Sequence, residues 1–160
     1  MDKVRVGFIG CGSHSTENLY PCLRYMTDKA DLVAVCDLRE NLAERNARWF
    51  GFERWYTDVR SLLKRENLDA VFIVGSPQMH TSLGVMCLQE GVHIFVEKPP
   101  AVNVEEAEKL LDASKESGRF VMVGFMKRFA VGYRLAKQII DQPDFGETVH
   151  IATKFANGPY

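Results

Sequence analysis

In Val4-Arg5-Val6-Gly7-Phe8-Ile9-Gly10-Cys11-Gly12-Ser13-His14-Ser15, an apolar run enters a glycine-rich turn, and a helical pattern follows the turn. Gly10 permits a tight turn, and Gly12 lets the backbone approach a bound phosphate. The helix that follows would offer its free N–H groups and the positive end of its dipole to that anion. The pattern predicts a strand, a turn and a helix that hold the pyrophosphate of a dinucleotide.

A second apolar run, residues 32–37, ends on the carboxylate of Asp37. An acid roughly 20 residues beyond such a turn hydrogen-bonds the ribose of the adenosine half. Taken alone, the turn fits an ordinary tight turn equally well, since Ser15 stands where a third glycine is usual; the acid favours the dinucleotide. A carboxylate repels a 2′-phosphate, so NAD is the preferred cofactor. Arg39 could pair with such a phosphate and keeps NADP as the alternative.

Size and charge exclude several classes of function. The chain has 160 residues, of which 46% are hydrophobic, enough for the core of one domain. Its net charge of −1 gives no general attraction to nucleic acid or to an anionic membrane. No apolar run approaches the ~18 residues of a membrane span, and we expect no signal peptide at the N-terminus. The four cysteines lack metal spacing, so we expect free thiols, no metal and a cytoplasmic location.

Strand-like runs alternate with helical patterns through residue 124. Continuous apolar runs are typical of parallel strands covered on both faces, and they predict strands at 5–9, 32–36, 54–56, 70–75, 93–96 and 120–124. Helices are expected to begin near Leu38, after Asp58, at Ser76-Pro77 and at Asn103. The alternation predicts an α/β fold with a doubly wound parallel (Rossmann) sheet. Ligands bind at the carboxyl ends of such strands, which would gather the glycine turn, Asp37 and residues 75–80, 97–100 and 124–128.

The pattern changes after residue 125, so we divide the chain into a dinucleotide-binding domain, 1–125, and a segment, 126–160. This segment would hold a linking helix, 131–141, and the first strand of an α+β substrate domain that is otherwise missing. Residues 148–155 alternate like a half-buried strand but have no partner in the preceding sheet. An unpaired strand invites pairing with another chain, so we expect a homo-oligomer; a disordered tail solvated by water is the alternative.

Glu97-Lys98-Pro99-Pro100 closes the fifth predicted strand at the ligand edge. A lysine there could donate a hydrogen bond or a proton to a substrate hydroxyl or carbonyl. A solvated lysine at a strand end is the alternative.

Two histidines near this edge also have two interpretations. His80 lies in the first turns of the helix after Ser76 and Pro77, where it could contact the cofactor or be only a partly exposed helix residue. His14 could lie over the pyrophosphate turn or be an ordinary loop residue.

The chain resembles the N-terminal part of the glucose–fructose oxidoreductase / inositol dehydrogenase (Gfo/Idh/MocA) family. The resemblance lies in the glycine turn, Asp37 and the stretch from Pro77 to His80, and in two longer stretches, Gly91-Val92-His93-Ile94-Phe95-Val96-Glu97-Lys98-Pro99 and Val123-Gly124-Phe125-Met126-Lys127-Arg128-Phe129. The resemblance covers nearly the whole chain, and Glu-Lys-Pro is its most specific element. It implies an NAD(P)-dependent oxidoreductase acting on a sugar, polyol or related hydroxyl compound, with Lys98 as the catalytic residue beside the nicotinamide. The expected cofactor-binding residues are Gly10, Gly12, Ser13, His14, Asp37, Arg39, Ser76, Pro77, His80, Glu97 and Lys98.

Two functions remain open from the sequence. The first is the cofactor domain of such an oxidoreductase, without full activity, because the family's second domain carries a catalytic histidine that this sequence lacks. The second is a non-catalytic dinucleotide-binding or redox-sensing module, since Rossmann-like sheets serve many functions. Lys98 discriminates between them, because a sensor has no need of a lysine beside the nicotinamide.

Overall fold

A computed structural model describes residues 2–154, which divide into two compact units, one up to Gly124 and one from Phe125 onward. The first unit contains six strands: β1 Val4–Ile9, β2 Ala30–Cys36, β3 Arg54–Tyr56, β4 Ala70–Ile73, β5 His93–Val96 and β6 Val121–Val123. All neighbours pair in parallel, in the order β3-β2-β1-β4-β5-β6. The winding reverses between β1 and β4, as in dinucleotide-binding sheets, so the predicted doubly wound fold is confirmed.

The helices of this unit connect the strands and cover both faces of the sheet. A π-helical turn, Ser15–Leu19, leads into α1 Tyr20–Arg24, and the others are α2 Glu40–Phe50, α3 Val59–Arg65, α4 Pro77–Gln89 and α5 Val104–Ser117. Asp58 and Asn103 cap α3 and α5, each accepting a hydrogen bond from a backbone N–H three residues later. Ser76 precedes α4, but its side chain makes no capping hydrogen bond.

Two apolar clusters form the core, one on each face of the sheet. Phe8 and Ile9 illustrate the arrangement, since successive side chains of a strand point to opposite faces. Phe8 packs with Tyr20 and Phe52 in one cluster, while Ile9 belongs to the other with Leu88 and other residues of α3, α4 and α5. Because both faces of the sheet are covered, a ligand can reach the sheet only at the edge where the strands end.

The second unit contains a 3₁₀ turn, Met126–Phe129, and α6 Val131–Ile140, and none of its described residues, 125–154, is buried. Residues 148–154 of the predicted strand 148–155 have no regular structure in this chain, and Phe155 lies outside the described residues. Alternating apolar residues do not suffice for a strand, because its backbone N–H and C=O groups need a partner strand. No helix in the described part of the chain is long and apolar enough to cross a membrane.

Candidate functional site

The glycine turn after β1 has the geometry that a phosphate-binding turn requires. Gly10 has a φ of 108°, and a Cβ on it would lie 1.9 Å from the carbonyl oxygen of Val74, so only glycine fits. A Cβ on Gly12 would meet nothing within 4 Å, so its smallness leaves open space beside the backbone. The helical segment that follows begins at Ser13, and its first N–H groups lack partners within the helix.

Asp37, at the end of β2, is bonded to this turn. Its Oδ2 accepts the N–H of Cys11 at 2.8 Å, and its Oδ1 accepts the N–H of Arg39 at 2.9 Å. Partial burial opposes ionisation, but the hydrogen bonds from these two N–H groups hold the pKa of Asp37 below its ordinary value. The carboxylate therefore stays ionised near neutral pH and can accept further hydrogen bonds from hydroxyl groups.

Two cavities meet at the carboxyl edge of the sheet. One, of about 420 Å³, is lined at its polar end by Gly12, Asp37 and Arg39. The other, of about 300 Å³, is lined by Gly12, Ser13, His14, Ser15, Val74, Gly75, Glu97 and Lys98. They share Gly12, Val74 and Gly75, so together they form one trough across the winding reversal between β1 and β4. A cavity of about 470 Å³ lies at the opposite edge of the sheet, near the exposed ion pair of Lys3 and Asp31.

Apolar side chains form most of the wall of the first cavity, and sequence reasoning missed them as site residues. They are Leu38, Val59, Met79 and Leu83, with Ile9 and Val74 beneath. Gly75 makes room for one of them, because a Cβ there would lie 2.3 Å from Met79 Sδ. Their positions in the sequence could have identified them, because each of the four follows a strand end or lies in the first turns of the next helix. An apolar wall beside an ionised carboxylate suits an adenine ring joined to a ribose.

The second cavity brings His14, Glu97 and Lys98 together. The nearly buried Glu97 accepts the backbone N–H of Lys98 at 3.0 Å, and its Oε1 lies 3.4 Å from Nε2 of His14. Gly124 packs closely on this carboxylate, since a Cβ there would lie 2.9 Å from Glu97 Oε1. Lys98 is exposed, and the peptide bond that joins it to Pro99 is cis. The end of β5 therefore presents a lysine at the trough on a backbone held by a carboxylate.

His80 lies inside the first unit, below the surface of the trough. Its side chain is completely buried, and its Nδ1 lies 2.8 Å from the carbonyl oxygen of Pro99. A carbonyl only accepts hydrogen bonds, so Nδ1 carries the proton and donates it. Its burial excludes the alternative of a partly exposed helix residue, and His80 lines neither cavity, so its contact with a cofactor stays a prediction. Ser76 and Pro77, also expected at the cofactor, begin α4 directly after Gly75.

These residues fit a nicotinamide dinucleotide. The turn at Gly10 and Gly12 leaves room for a pyrophosphate where the two cavities meet, with free helix N–H groups beside it. Asp37 lines the cavity with the apolar wall, and Lys98 lines the other cavity of the trough. An adenosine half and a nicotinamide half thus each have a cavity of suitable character.

Comparisons with known proteins agree with this geometry. The family model described as an oxidoreductase family with an NAD-binding Rossmann fold (GFO_IDH_MocA) matches residues 4–125. The scyllo-inositol 2-dehydrogenase (NAD(+)) of Bacillus subtilis is 36% identical over 121 residues, which are 76% of this chain and 35% of that protein. A solved dehydrogenase from Chromobacterium violaceum matches with a TM-score of 0.88 at 35% identity, covering 94% of this chain and 44% of that one.

A further solved structure contains the cofactor. The WlbA dehydrogenase of Bordetella pertussis, in complex with NADH and UDP-GlcNAcA, matches with a TM-score of 0.83 at 27% identity, covering 91% of this chain and 44% of that one. The chain thus spans less than half the length of each of these relatives. The predicted family resemblance and the predicted NAD cofactor are confirmed.

Proposed function

The chain belongs to the oxidoreductase family with an NAD-binding Rossmann fold, and from that premise we propose that it is the cofactor-binding part of a dehydrogenase acting on a sugar or polyol hydroxyl. The trough that runs from Asp37 past Gly12 to Lys98 carries this proposal. When bound, NAD supplies the hydride acceptor, and this chain's residues bind and orient it. The names of the relatives support a polyhydroxy substrate, since one is a scyllo-inositol dehydrogenase.

Each part of the trough has a proposed task. The ionised Asp37 accepts hydrogen bonds from the adenosine ribose, and the backbone at Gly12, Ser13 and His14 receives the pyrophosphate. Glu97 holds the backbone of Lys98 at the nicotinamide end. Lys98, being exposed at the trough, donates a hydrogen bond to the substrate oxygen and takes part in moving its proton.

Calorimetric titration with NAD and NADP tests the first of these tasks. We expect tighter binding of NAD, because Asp37 repels a 2′-phosphate. The Asp37→Ala variant should bind NAD at least about ten-fold more weakly, a loss of ~1.4 kcal/mol. Asp31→Ala is the matched control, because Asp31 lies in an exposed ion pair away from the trough. Tighter binding of NADP would overturn the preference, and an unchanged NAD affinity in Asp37→Ala would overturn the role of that residue.

Turnover tests the second task. It requires a version of the chain extended by the second half that its relatives carry, assayed for NADH production on inositols and sugars. Lys98→Ala should lower kcat about 100-fold, the scale of a positioned acid–base group, with little change in NADH affinity. Lys64→Ala, at the end of α3, is the control. Near-normal turnover without Lys98 would make it a solvated lysine, and cofactor binding without any turnover would favour the redox-sensing module.

Residues 1–160 should not turn over substrate efficiently by themselves, because the expected catalytic histidine lies outside them. Robust NADH production by this 160-residue chain would contradict this.

We further propose a cytoplasmic homo-oligomer with a small-molecule substrate. All four cysteines are free, as expected in a reducing compartment. In the second unit, Val131, Leu135 and Ile139 expose apolar side chains along α6, which is the kind of surface that a partner covers. Light scattering on residues 1–160 and on a version ending at Asp141 tests the association. If both remain monomeric at high concentration, self-association through this region is excluded.

A further inference from the structure

Tyr20 is a buried residue that lines neither cavity of the trough. It is completely buried, and its ring packs among Phe8, Phe50 and Phe52, with a centroid separation of 4.4 Å from Phe8. Its hydroxyl donates a hydrogen bond to the carbonyl oxygen of Gly10 at 2.8 Å and lies 3.5 Å from Cys11 Sγ. A ring placed only for packing would not need this hydroxyl.

The position of Tyr20 follows from an irregularity in its helix. The N–H of Tyr20 donates to the carbonyl of Ser15, five residues earlier, which makes Ser15–Leu19 a π-helical turn. Pro21 follows directly, and a proline inside an α-helix lacks an N–H and clashes with the carbonyl four residues before it. The wider turn accommodates that proline. It also sets the direction in which Tyr20 leaves the helix, back toward the end of β1.

The peptide group between Gly10 and Cys11 is held at both ends. Its carbonyl oxygen accepts the Tyr20 hydroxyl, and its N–H donates to Asp37 Oδ2 at 2.8 Å. The N–H of Gly10 is also bonded, to the carbonyl of Cys36 at 2.8 Å. The plane of this peptide therefore has one orientation, and it determines where the following backbone at Gly12 and Ser13 points. Burial raises the pKa of Tyr20, so its hydroxyl remains a donor throughout the physiological range.

We propose that Tyr20 is a positioning residue for the pyrophosphate turn: its hydroxyl, opposite the Asp37 carboxylate, fixes the Gly10–Cys11 peptide so that the N–H groups after it face the cofactor. This inference rests on the proposed binding of the pyrophosphate at this turn. It also gives Asp37 a second task, since the same carboxylate meets the ribose and holds the turn.

The test compares two tyrosine-to-phenylalanine variants of the 160-residue chain. Tyr20→Phe keeps the aromatic cluster and removes only the hydroxyl. Tyr56→Phe is the matched control, because it removes a tyrosine hydroxyl that donates to Glu66, away from both cavities. NADH affinity is measured by fluorescence, ADP-ribose and adenosine affinities by competition, and stability by urea unfolding. A merely structural role would lower stability in both variants and leave ligand affinity unchanged.

We expect Tyr20→Phe to weaken NADH and ADP-ribose about five-fold, on the scale of one hydrogen bond, and to leave adenosine unchanged because it has no phosphate. Tyr56→Phe should leave all three affinities unchanged. Unchanged NADH affinity in Tyr20→Phe overturns the inference, and so does an equal loss for adenosine. If the unsubstituted chain does not bind NADH, the proposed function fails first and the inference fails with it.

A second variant covers the case in which Tyr20→Phe does not fold. Pro21→Ala restores the missing N–H and relaxes the π-helical turn, which should draw the hydroxyl away from Gly10. We expect weaker NADH and ADP-ribose binding, with adenosine binding unchanged. Unchanged NADH affinity in Pro21→Ala would then overturn the inference.

Discussion

The two units of the chain are built from similar local patterns, yet only one has a core. In the first unit, α4 and α5 place residues such as Leu88 and Leu110 against the sheet, where they are buried. In the second, α6 has an equally apolar face, but Val131 and Leu135 are exposed, and no residue among 125–154 is buried. An amphipathic pattern therefore forms a helix locally, whereas burial requires a second surface. Apolar burial gives the first unit its stability and the rigid edge that carries the site.

The largest expected loss of stability comes from a substitution in the glycine turn of the first unit. Gly10→Ala should lower the free energy of unfolding by about 3–5 kcal/mol, because its Cβ would collide with the carbonyl of Val74 at a φ of 108°. Urea unfolding followed by circular dichroism measures this. The second unit should keep its helical signal, since Gly10 is no part of it.

Gly12→Ala is the control for that prediction. A Cβ there meets nothing within 4 Å, so stability should change by less than ~0.5 kcal/mol, while NADH affinity falls at least ten-fold, about 1.4 kcal/mol, because the methyl group occupies the phosphate space. Equal loss of stability in the two variants would contradict the division of tasks between the two glycines.

The next prediction compares the stability contributed by the buried carboxylate of Glu66 with that of an exposed ion pair. The Glu66 side chain is only 4% exposed and accepts hydrogen bonds from Arg54 and Tyr56. The hydrogen bonds from Arg54 hold the pKa of Glu66 below its ordinary value of 4.5. The unfolded chain therefore takes up this proton at higher pH than the folded chain, so the stabilisation is present above pH 4.5 and is lost as the pH falls below it.

Glu66→Gln should cost about 1–3 kcal/mol at pH 7 and make the fall in stability below pH 5 shallower. The control comes from the second unit: Asp141→Asn removes an exposed pair with Lys137 and should change stability by less than ~0.5 kcal/mol. Urea unfolding between pH 3 and pH 7 measures both. An unchanged pH dependence in Glu66→Gln would rule out Glu66 as the source of this slope.

The last comparison substitutes a glycine in an exposed helix, α6, and a glycine in a packed helix, α4. Gly132 lies in α6 with open space around it, so Gly132→Ala should stabilise that helix by up to about 1 kcal/mol. Gly84 lies in α4, where a Cβ would be 2.5 Å from Leu110 Cδ2, so Gly84→Ala should destabilise the first unit by about 1–3 kcal/mol. Amide exchange in α6 and urea unfolding of the first unit distinguish them. The same sign of change in both would mean that packing does not separate the units.

Local patterns were enough to predict much of the first unit. The strands at 54–56 and 93–96 have the predicted bounds, and Asp58 and Asn103 cap the helices expected of them. Local patterns were less reliable for the buried face of a helix, because burial depends on the elements that pack against it. In α5, helical spacing predicts one buried face formed by the apolar residues 104, 107, 110 and 111. In the structure Val104 and Leu111 are exposed, whereas Leu110 and Ala113 are buried in the core cluster.

The parallel sheet, the tight turn at Gly10 and the acid at Asp37 follow from local sequence alone, because hydrophobic period, glycine and charge act within a few residues. Which polar groups meet depends instead on the packing of distant segments. It buried His80 beneath Pro99, aimed the Tyr20 hydroxyl at Gly10 and left residues 148–154 without a partner strand. The physical reason is that burial and hydrogen bonding between distant residues depend on which surfaces are brought together, and no local pattern specifies that.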